Sequence, residues 1–166
     1  KNGKSNKFLH RKPEDLSGKT MGVVGAGNIS AKIMEYAQML GMKVICWTRN
    51  PDKHRELESR GVSFTDLNTL LKLADVVSVN LPNNDSTKGL ISYDRVGMMK
   101  DNAVFISVSR LETVNLDSLI EKAEKSPDFY VCLDIDLNDT VVRKIAENST
   151  VTVTPHIAGG TVETRR

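Results

Sequence analysis

The chain has 166 residues, and it lacks both a long apolar segment and a marked excess of charge. No apolar run approaches the ~20 residues that cross a bilayer, and the N-terminus is polar, so we expect a cytoplasmic protein without a membrane partner. The 23 basic and 21 acidic residues give a net charge of only +2, and the basic excess lies mainly near the two ends. A nucleic-acid-binding surface is therefore not expected.

Cysteine and histidine are also scarce, with two and three copies. Cys46 and Cys132 each lie in an apolar, strand-like run, so we expect reduced core residues rather than a disulfide or reactive thiols. His10, His54 and His156 lie in different segments, without the ligand spacing of a zinc site. The sequence therefore predicts no metal site.

Short apolar runs alternate with stretches of helical spacing over most of the chain. Residues 1–15 are polar, lysine-rich and without periodicity, and they are interpreted as a linker or arm. Residues 16–166 are long enough for one packed domain. The predicted strands lie in the runs TMGVVG, KVICW, GVSF, DVVSVNLP, AVFISVS, FYVCLDI and VTVTP.

The first helical stretch places Ile29, Ile33, Ala37 and Leu40 on one apolar face and ends at Gly41. Further helices are predicted over about residues 52–60, 66–74, 92–99, 115–125 and 139–147. Three of them begin at residues that favour the N-cap, namely Asp66, Ser92 and Asn115.

Strands that are apolar on both faces and separated by helices predict a parallel sheet covered on both sides. We therefore expect an α/β protein with a Rossmann-type doubly wound parallel sheet, in three α/β/α layers. Such sheets bind ligands at the carboxyl ends of their strands, near the point where the strand order reverses. The loops that follow the strands are thus the places to look for a functional site.

The loop after the first strand is rich in glycine. Gly25 permits a tight turn, and Gly27 lets the backbone approach a pyrophosphate that the helix N-terminus stabilises. Ser30 stands where a dinucleotide-binding fingerprint has its third glycine, and we expect it to displace the helix slightly without removing the site. A purely structural glycine turn is the alternative interpretation.

The loop after the second strand bears on the choice of cofactor. A carboxylate that binds the ribose hydroxyls of NAD is expected there, but residues 47–50 are Trp-Thr-Arg-Asn. Because Arg49 can pair with a 2′-phosphate and no carboxylate repels it, the site is expected to tolerate or prefer NADP. Arg49 as a solvated loop residue is the alternative, and the nearby Asp52 leaves the choice between NAD and NADP open.

The last strand runs into the segment Thr-Pro-His-Ile-Ala-Gly-Gly, residues 154–160. Pro155 fixes the backbone there, and His156 follows it at the carboxyl end of the strand. Imidazole is the usual proton donor and acceptor near neutral pH. His156 is therefore predicted to have a functional role.

Four stretches in order carry a family resemblance: LSGKTMGVVGAGNIS, ADVVSVNLPNNDSTKGLI, MKDNAVFISVSRLETVNLDSLIEKAE and VTVTPHIAGGT. From residue 16 onward the chain resembles the cofactor-binding domain of the D-isomer-specific 2-hydroxyacid dehydrogenases. The resemblance implies hydride transfer between nicotinamide C4 and C2 of a small 2-oxo or 2-hydroxy acid of D configuration. It implies an NAD or NADP cofactor and a homodimeric full-length protein.

By this resemblance His156 donates or accepts the hydroxyl proton, and Arg110 binds the carboxylate and carbonyl of the substrate. A surface ion pair is the alternative for Arg110. The family's third residue, usually a glutamate, lies five residues after the aspartate that corresponds to Asp134, which assigns the role to Asp139. The expected Glu-Pro is missing here, and Asp139 could instead be a helix N-cap. The glycine that normally follows the arginine is also absent.

The resemblance also implies a set of cofactor contacts at the carboxyl ends of the strands. Among them, Asp134 has an alternative interpretation as a strand-end turn residue. The contacts are Asn28 and Ile29 at the pyrophosphate, Thr48 and Arg49 at the adenosine ribose, Leu81 and Pro82 beside the adenine, Val108 and Ser109 near the nicotinamide ribose, and Asp134 at the carboxamide.

Family members build a second, substrate-binding domain from a long N-terminal segment and a short C-terminal return, and this chain contains almost none of either. We therefore expect an isolated cofactor domain that binds nucleotide but turns over slowly or not at all, because closure of two domains aligns the reactants. The alternative is a nucleotide sensor or scaffold that kept the fold and lost efficient catalysis.

Overall fold

The fold is a parallel sheet with helices on both faces. The computed structural model describes residues 14–136, 145 and 150–160. In these ranges the strands are Thr20–Val24 (β1), Lys43–Trp47 (β2), Ser63–Phe64 (β3), Val76–Val79 (β4), Val104–Ser107 (β5), Tyr130–Asp134 (β6) and Val151–Thr154 (β7). The helices are Asn28–Met39 (α1), Arg55–Ser59 (α2), Leu67–Leu73 (α3), Tyr93–Gly97 (α4) and Leu116–Lys125 (α5), with 3-10 turns at Pro51–His54 and Leu111–Thr113.

Strand order along the sheet is β3-β2-β1-β4-β5-β6-β7, and every pairing is parallel. The order reverses between β1 and β4, so the crevice above their carboxyl ends is where a doubly wound sheet binds its ligand. All seven predicted strands are confirmed. The helix predicted over residues 139–147 lies almost wholly outside the described residues.

Two separate hydrophobic clusters cover the two faces of the sheet. The neighbouring residues Val23 and Val24 of β1 belong to different clusters, because successive side chains of a strand point to opposite faces. One cluster includes Met34 and Ala37 of α1, and the other includes Leu70 of α3 with side chains from α4 and α5. The predicted three-layer α/β/α architecture is therefore confirmed.

The predicted N-caps are confirmed. The side chains of Asp66, Ser92 and Asn115 accept hydrogen bonds from backbone N–H groups in the first turns of α3, α4 and α5. Helix α1 differs from its prediction, because its buried residues are Ser30, Met34 and Ala37. Of the predicted apolar face, Ile29 and Leu40 are 63% and 55% exposed.

Cys46 is buried on β2, Cys132 is half-buried on β6, and both are free thiols. Burial raises the pKa of the Cys46 thiol to about 12 and also raises that of Cys132. Both thiols are therefore poor nucleophiles at neutral pH. None of the helices in the described ranges is both long and apolar enough to span a membrane.

Candidate functional site

The turn at Gly25 brings the carboxyl ends of three strands together. Its backbone N–H donates to the Trp47 carbonyl at 2.8 Å, and its φ of +105° favours glycine. A Cβ atom at this position would lie 2.6 Å from the carbonyl oxygen of Asn80, which no side chain tolerates. Gly25 is thus required by the backbone itself, as the sequence predicts.

Gly27 has a different role, because it faces open space. It is the N-cap of α1, and no atom of the described residues lies within 4 Å of the position its Cβ would occupy. Among the described residues no side chain caps this helix, and its first turn contains no acidic residue. Asn28 and Ile29 are exposed residues of this uncapped first turn, at the positive end of the helix dipole, and such a helix N-terminus suits a pyrophosphate.

Ser30, which replaces the third glycine, is fully buried against the sheet. Its Oγ has no hydrogen-bond partner among the described residues. The hydroxymethyl group is accommodated while the turn at Gly25 and the open approach at Gly27 both persist. The predicted displacement of α1 remains a prediction.

A guanidinium lies where an NAD-specific site would have a carboxylate. Thr48 is half-buried directly after β2, and Arg49 Nη2 reaches Ser86 Oγ at 2.6 Å and the Ser86 carbonyl at 3.4 Å. Asp52, which complicated the sequence interpretation, pairs at 2.7 Å with Arg55, and both of these side chains are exposed. Arg49 is thus held between the loops that follow β2 and β4.

The loops after β4 and β5 are joined by Ser109. Its buried hydroxyl accepts from Leu81 N–H at 2.7 Å and donates to the Val79 carbonyl at 3.0 Å. The hydroxyl is therefore committed to the protein, and contact with a nucleotide would involve the Ser109 backbone. Pro82 and Val108 are exposed at the same edge, where they can contact a ligand.

Asn80 adds a polar group to this crevice that the sequence analysis did not identify. Its backbone N–H donates to the Val24 carbonyl at 3.0 Å, and its side-chain nitrogen donates to Ser78 Oγ at 3.0 Å. Its Oδ1 atom is buried without a partner among the described residues. A buried acceptor without a partner is unusual in a folded protein, and the position of Asn80 directly after β4 is the sequence feature that could have identified it.

Asp134 anchors the loop that carries His156. It is only 7% exposed, and its two carboxylate oxygens accept from Ile157 N–H and Ala158 N–H, each at 2.9 Å, and from the Thr154 hydroxyl. Burial alone would raise the pKa of Asp134, but these hydrogen bonds and the nearby His156 hold it below its usual value. This is the strand-end role given above as the alternative, and a carboxamide contact remains a prediction.

Arg110, Asp136 and His156 line one cavity and contact one another. Arg110 Nη1 is 3.0 Å from Asp136 Oδ2 and 3.2 Å from His156 Nδ1, and His156 Nδ1 is 2.8 Å from Asp136 Oδ1. The cavity has a volume of about 310 Å³ and is also lined by Ser109 and Asp134. This volume is large enough for a small molecule.

Asp139, which the resemblance assigned as the partner of His156, lies outside the described residues. The carboxylate that meets His156 in the structure is Asp136, which the sequence analysis did not select. The sequence feature that could have identified Asp136 is its spacing from Asp134, because alternate residues at a strand end can face the same way. Arg110 forms an ion pair with Asp136, as the alternative interpretation expected, but both residues line the cavity.

Comparison with known proteins identifies the family. The family model described as "D-isomer specific 2-hydroxyacid dehydrogenase, NAD binding domain" matches residues 1–158. A hydroxypyruvate reductase from Thermotoga maritima is 30% identical over 159 residues, which are 93% of this chain and 51% of that protein. The chain thus spans about half the length of the curated relative it matches.

Solved structures show the same relationship. The D-lactate dehydrogenase of Aquifex aeolicus, complexed with NAD and lactic acid, has a TM-score of 0.83 at 28% identity, and the match covers 92% of this chain and 50% of that one. A phosphoglycerate oxidoreductase from Vibrio cholerae has a TM-score of 0.82 at 25% identity, covering 91% and 49%.

Proposed function

This chain belongs to the D-isomer specific 2-hydroxyacid dehydrogenases, as their NAD-binding domain, and we propose that the whole protein is an oxidoreductase of small 2-oxo and 2-hydroxy acids of D configuration. The observation that carries this proposal is the placement of Arg110 and His156 in one cavity, 3.2 Å apart. A guanidinium can bind the carboxylate of a 2-oxo acid, and an imidazole can supply the proton that its reduction consumes.

The carboxyl edge of the sheet fits the cofactor. The turn at Gly25, the open approach at Gly27 and the uncapped N-terminus of α1 would hold the pyrophosphate. Leu81, Pro82 and the backbone of Ser109 would border the rest of the dinucleotide. When bound, the nicotinamide supplies or accepts the hydride.

Arg110 and His156 divide the remaining chemistry. The Arg110 guanidinium has five N–H donors, and in the described structure only Nη1 is engaged. The others are available to bind a planar carboxylate and to polarise the carbonyl as negative charge develops. His156 Nδ1 faces Asp136, which leaves Nε2 to give a proton to the carbonyl oxygen, or to take it back in alcohol oxidation.

The proposal extends to NADP as an accepted cofactor. Arg49 supplies a positive charge beside the expected adenosine ribose, and Ser86 supplies a hydroxyl 2.6 Å from it. The only nearby carboxylate raised by the sequence, Asp52, is paired with Arg55. A 2′-phosphate would thus meet a guanidinium and a hydroxyl rather than a repelling carboxylate.

We place the whole protein in the cytoplasm as a homodimer. Unpaired thiols such as Cys46 and Cys132 are usual in that compartment. Helix α1 presents an apolar outer surface in which Ile29, Tyr36 and Met39 are 63%, 58% and 77% exposed. Large exposed apolar side chains of this kind are frequent in contact surfaces between proteins, and we propose a second copy of the chain as the partner.

A nucleotide sensor or scaffold is not favoured as an alternative. Such a protein needs the glycine turn but has no use for Arg110 and His156 in a shared cavity.

Activity of the whole protein tests the proposal. With NADH or NADPH, we expect reduction of at least one of glyoxylate, hydroxypyruvate and pyruvate. His156→Ala should lower kcat by at least about a hundredfold, the size of a general acid–base contribution. His54→Ala is the matched control, because His54 faces Glu56 outside the cavity, and it should leave kcat unchanged. Tight cofactor binding without turnover of any of these acids would contradict the proposal.

A further inference from the structure

Asp136 contacts both proposed functional side chains, one through each carboxylate oxygen. Oδ1 lies 2.8 Å from His156 Nδ1, and Oδ2 lies 3.0 Å from Arg110 Nη1. The side chain is 76% exposed, so packing does not require a carboxylate at this position. What distinguishes Asp136 from an ordinary surface aspartate is that it contacts both Arg110 and His156.

The backbone beneath these contacts is firmly held. Strands β6 and β7 pair in parallel up to the partners Asp134 and Thr154, and Ile135 N–H donates to the Thr154 carbonyl at 3.1 Å. Asp134 fixes the backbone on the far side of His156, and His156 itself has a φ of +51°. The sheet and this anchored loop therefore bring the backbone segments that carry Asp136 and His156 next to each other.

Two groups compete for His156 Nδ1. Arg110 Nη1 lies 3.2 Å from Nδ1, and a guanidinium can only donate, so that contact requires a lone pair on Nδ1. The carboxylate of Asp136 can only accept, so its contact requires a hydrogen on Nδ1. The two hydrogen bonds exclude each other, and the shorter distance, 2.8 Å, belongs to Asp136.

We propose that Asp136 is the positioning residue of His156, in the role that the family resemblance assigned to Asp139. Asp136 selects the tautomer with hydrogen on Nδ1, so that Nε2 carries the lone pair of the neutral ring. In alcohol oxidation Nε2 accepts the hydroxyl proton while the Nδ1 proton stays on the ring, and in reduction Nε2 returns that proton. The use of this tautomer rests on the proposed function, but the tautomer itself is a property of this chain.

The experiment is nitrogen-15 NMR of the labelled chain, which reads the protonation of each ring nitrogen directly. Spectra are recorded at about pH 8.5, roughly two units above the ordinary histidine value, where neutral rings dominate. The His156 signals are identified by their loss in His156→Gln. We expect the hydrogen on Nδ1 in the unmodified chain. In Asp136→Ala, Arg110 is left as the partner of Nδ1, and the hydrogen should move to Nε2.

Asp139→Ala is the matched control and should leave the tautomer unchanged. If Asp139→Ala shifts the hydrogen to Nε2 and Asp136→Ala does not, Asp139 positions the ring and the proposal is wrong. If neither variant moves it, no carboxylate selects the tautomer and the proposal is equally wrong. Asp136→Ser, whose hydroxyl stops short of Nδ1, carries the same expectation if the alanine variant does not fold.

The outcome is independent of turnover. NADH binding should be the same in Asp136→Ala as in the unmodified chain, and amide resonances should shift only around Asp136, Arg110 and His156, because the exposed Asp136 side chain lies outside the core. Absence of 2-oxo acid reduction by the whole protein would overturn the proposed function while leaving the tautomer assignment intact. If the tautomer of His156 is the same with and without Asp136, only the positioning role of Asp136 is overturned.

Discussion

Arg49 and Ser86 join two loops at the edge of the sheet, with Arg49 Nη2 2.6 Å from Ser86 Oγ. The contact places a positive charge at the carboxyl end of β2, where selectivity for NAD would call for a carboxylate.

Arg49→Asp should reverse the preference for the two cofactors. Loss of the guanidinium and gain of a carboxylate should weaken NADPH binding at least about tenfold, which corresponds to about 1.4 kcal/mol. NADH binding should be unchanged or tighter. Calorimetric titration with each nucleotide measures this, with Arg60→Asp at the end of α2 as the control for the same change in charge. Equal losses for both nucleotides would show that Arg49 does not select between them.

Gly27→Ala should weaken NADH binding while leaving the stability of the fold nearly unchanged. A Cβ at Gly27 meets no atom of the described residues, and the backbone φ of −77° suits alanine, so stability should change by less than about 1 kcal/mol. The same methyl group lies where a pyrophosphate approaches, so NADH affinity should fall at least about tenfold. Gly25→Ala should instead unfold the chain at lower urea concentration, because its Cβ would lie 2.6 Å from the Asn80 carbonyl. Unaltered NADH affinity in Gly27→Ala would place the dinucleotide elsewhere.

Ser30→Ala should stabilise the chain. The buried Ser30 hydroxyl has no partner among the described residues, and its removal relieves an uncompensated polar group in the middle of a contact between helix and sheet. Alanine is also the better helix former. We expect the free energy of unfolding in urea to rise by about 1 kcal/mol. A decrease would mean that the hydroxyl has a favourable interaction in solution.

The loop that carries His156 should loosen in acid. The folded pKa of Asp134 lies below the ordinary value of 3.8, so its contribution to stability is complete above that value and is lost as the pH falls through the lowered pKa. The amides of Ile157 and Ala158 should therefore be protected from hydrogen exchange at pH 5 and become less protected below about pH 3.8. In Asp134→Asn the protection should be weak at both pH values. Protection that is independent of pH in the unmodified chain would contradict this.

Most of the fold could be predicted from the sequence because its determinants are local. Apolar runs bounded by helical stretches identify buried parallel strands, and the caps at Asp66, Ser92 and Asn115 need only the next few residues. The face of α1 was predicted less well, because its packing begins at Ser30. Ser30 is buried because of its position next to the glycine loop, although its side chain is polar.

The side-chain pairings at the site could not be predicted in the same way. Asp136 and His156 are separated by 20 residues in the sequence. Which aspartate contacts the imidazole ring depends on the path of the backbone after β6, which the sequence does not reveal. Counting from Asp134 selected Asp139, which lies outside the described residues. Arg49 was identified from its position after β2, but its contact with Ser86 depends on the path of a different loop.

The most direct test is a titration of this chain with NADH and NADPH, followed by energy transfer from Trp47. Trp47 is the only tryptophan and ends β2 next to the proposed ribose site. We predict saturable quenching by both nucleotides, and loss of that quenching in Gly27→Ala. A dissociation constant of about 1 mM corresponds to a binding free energy of about −4.1 kcal/mol. If neither nucleotide changes the fluorescence at about 1 mM, the assignment of the carboxyl edge of this sheet as a working dinucleotide site is contradicted.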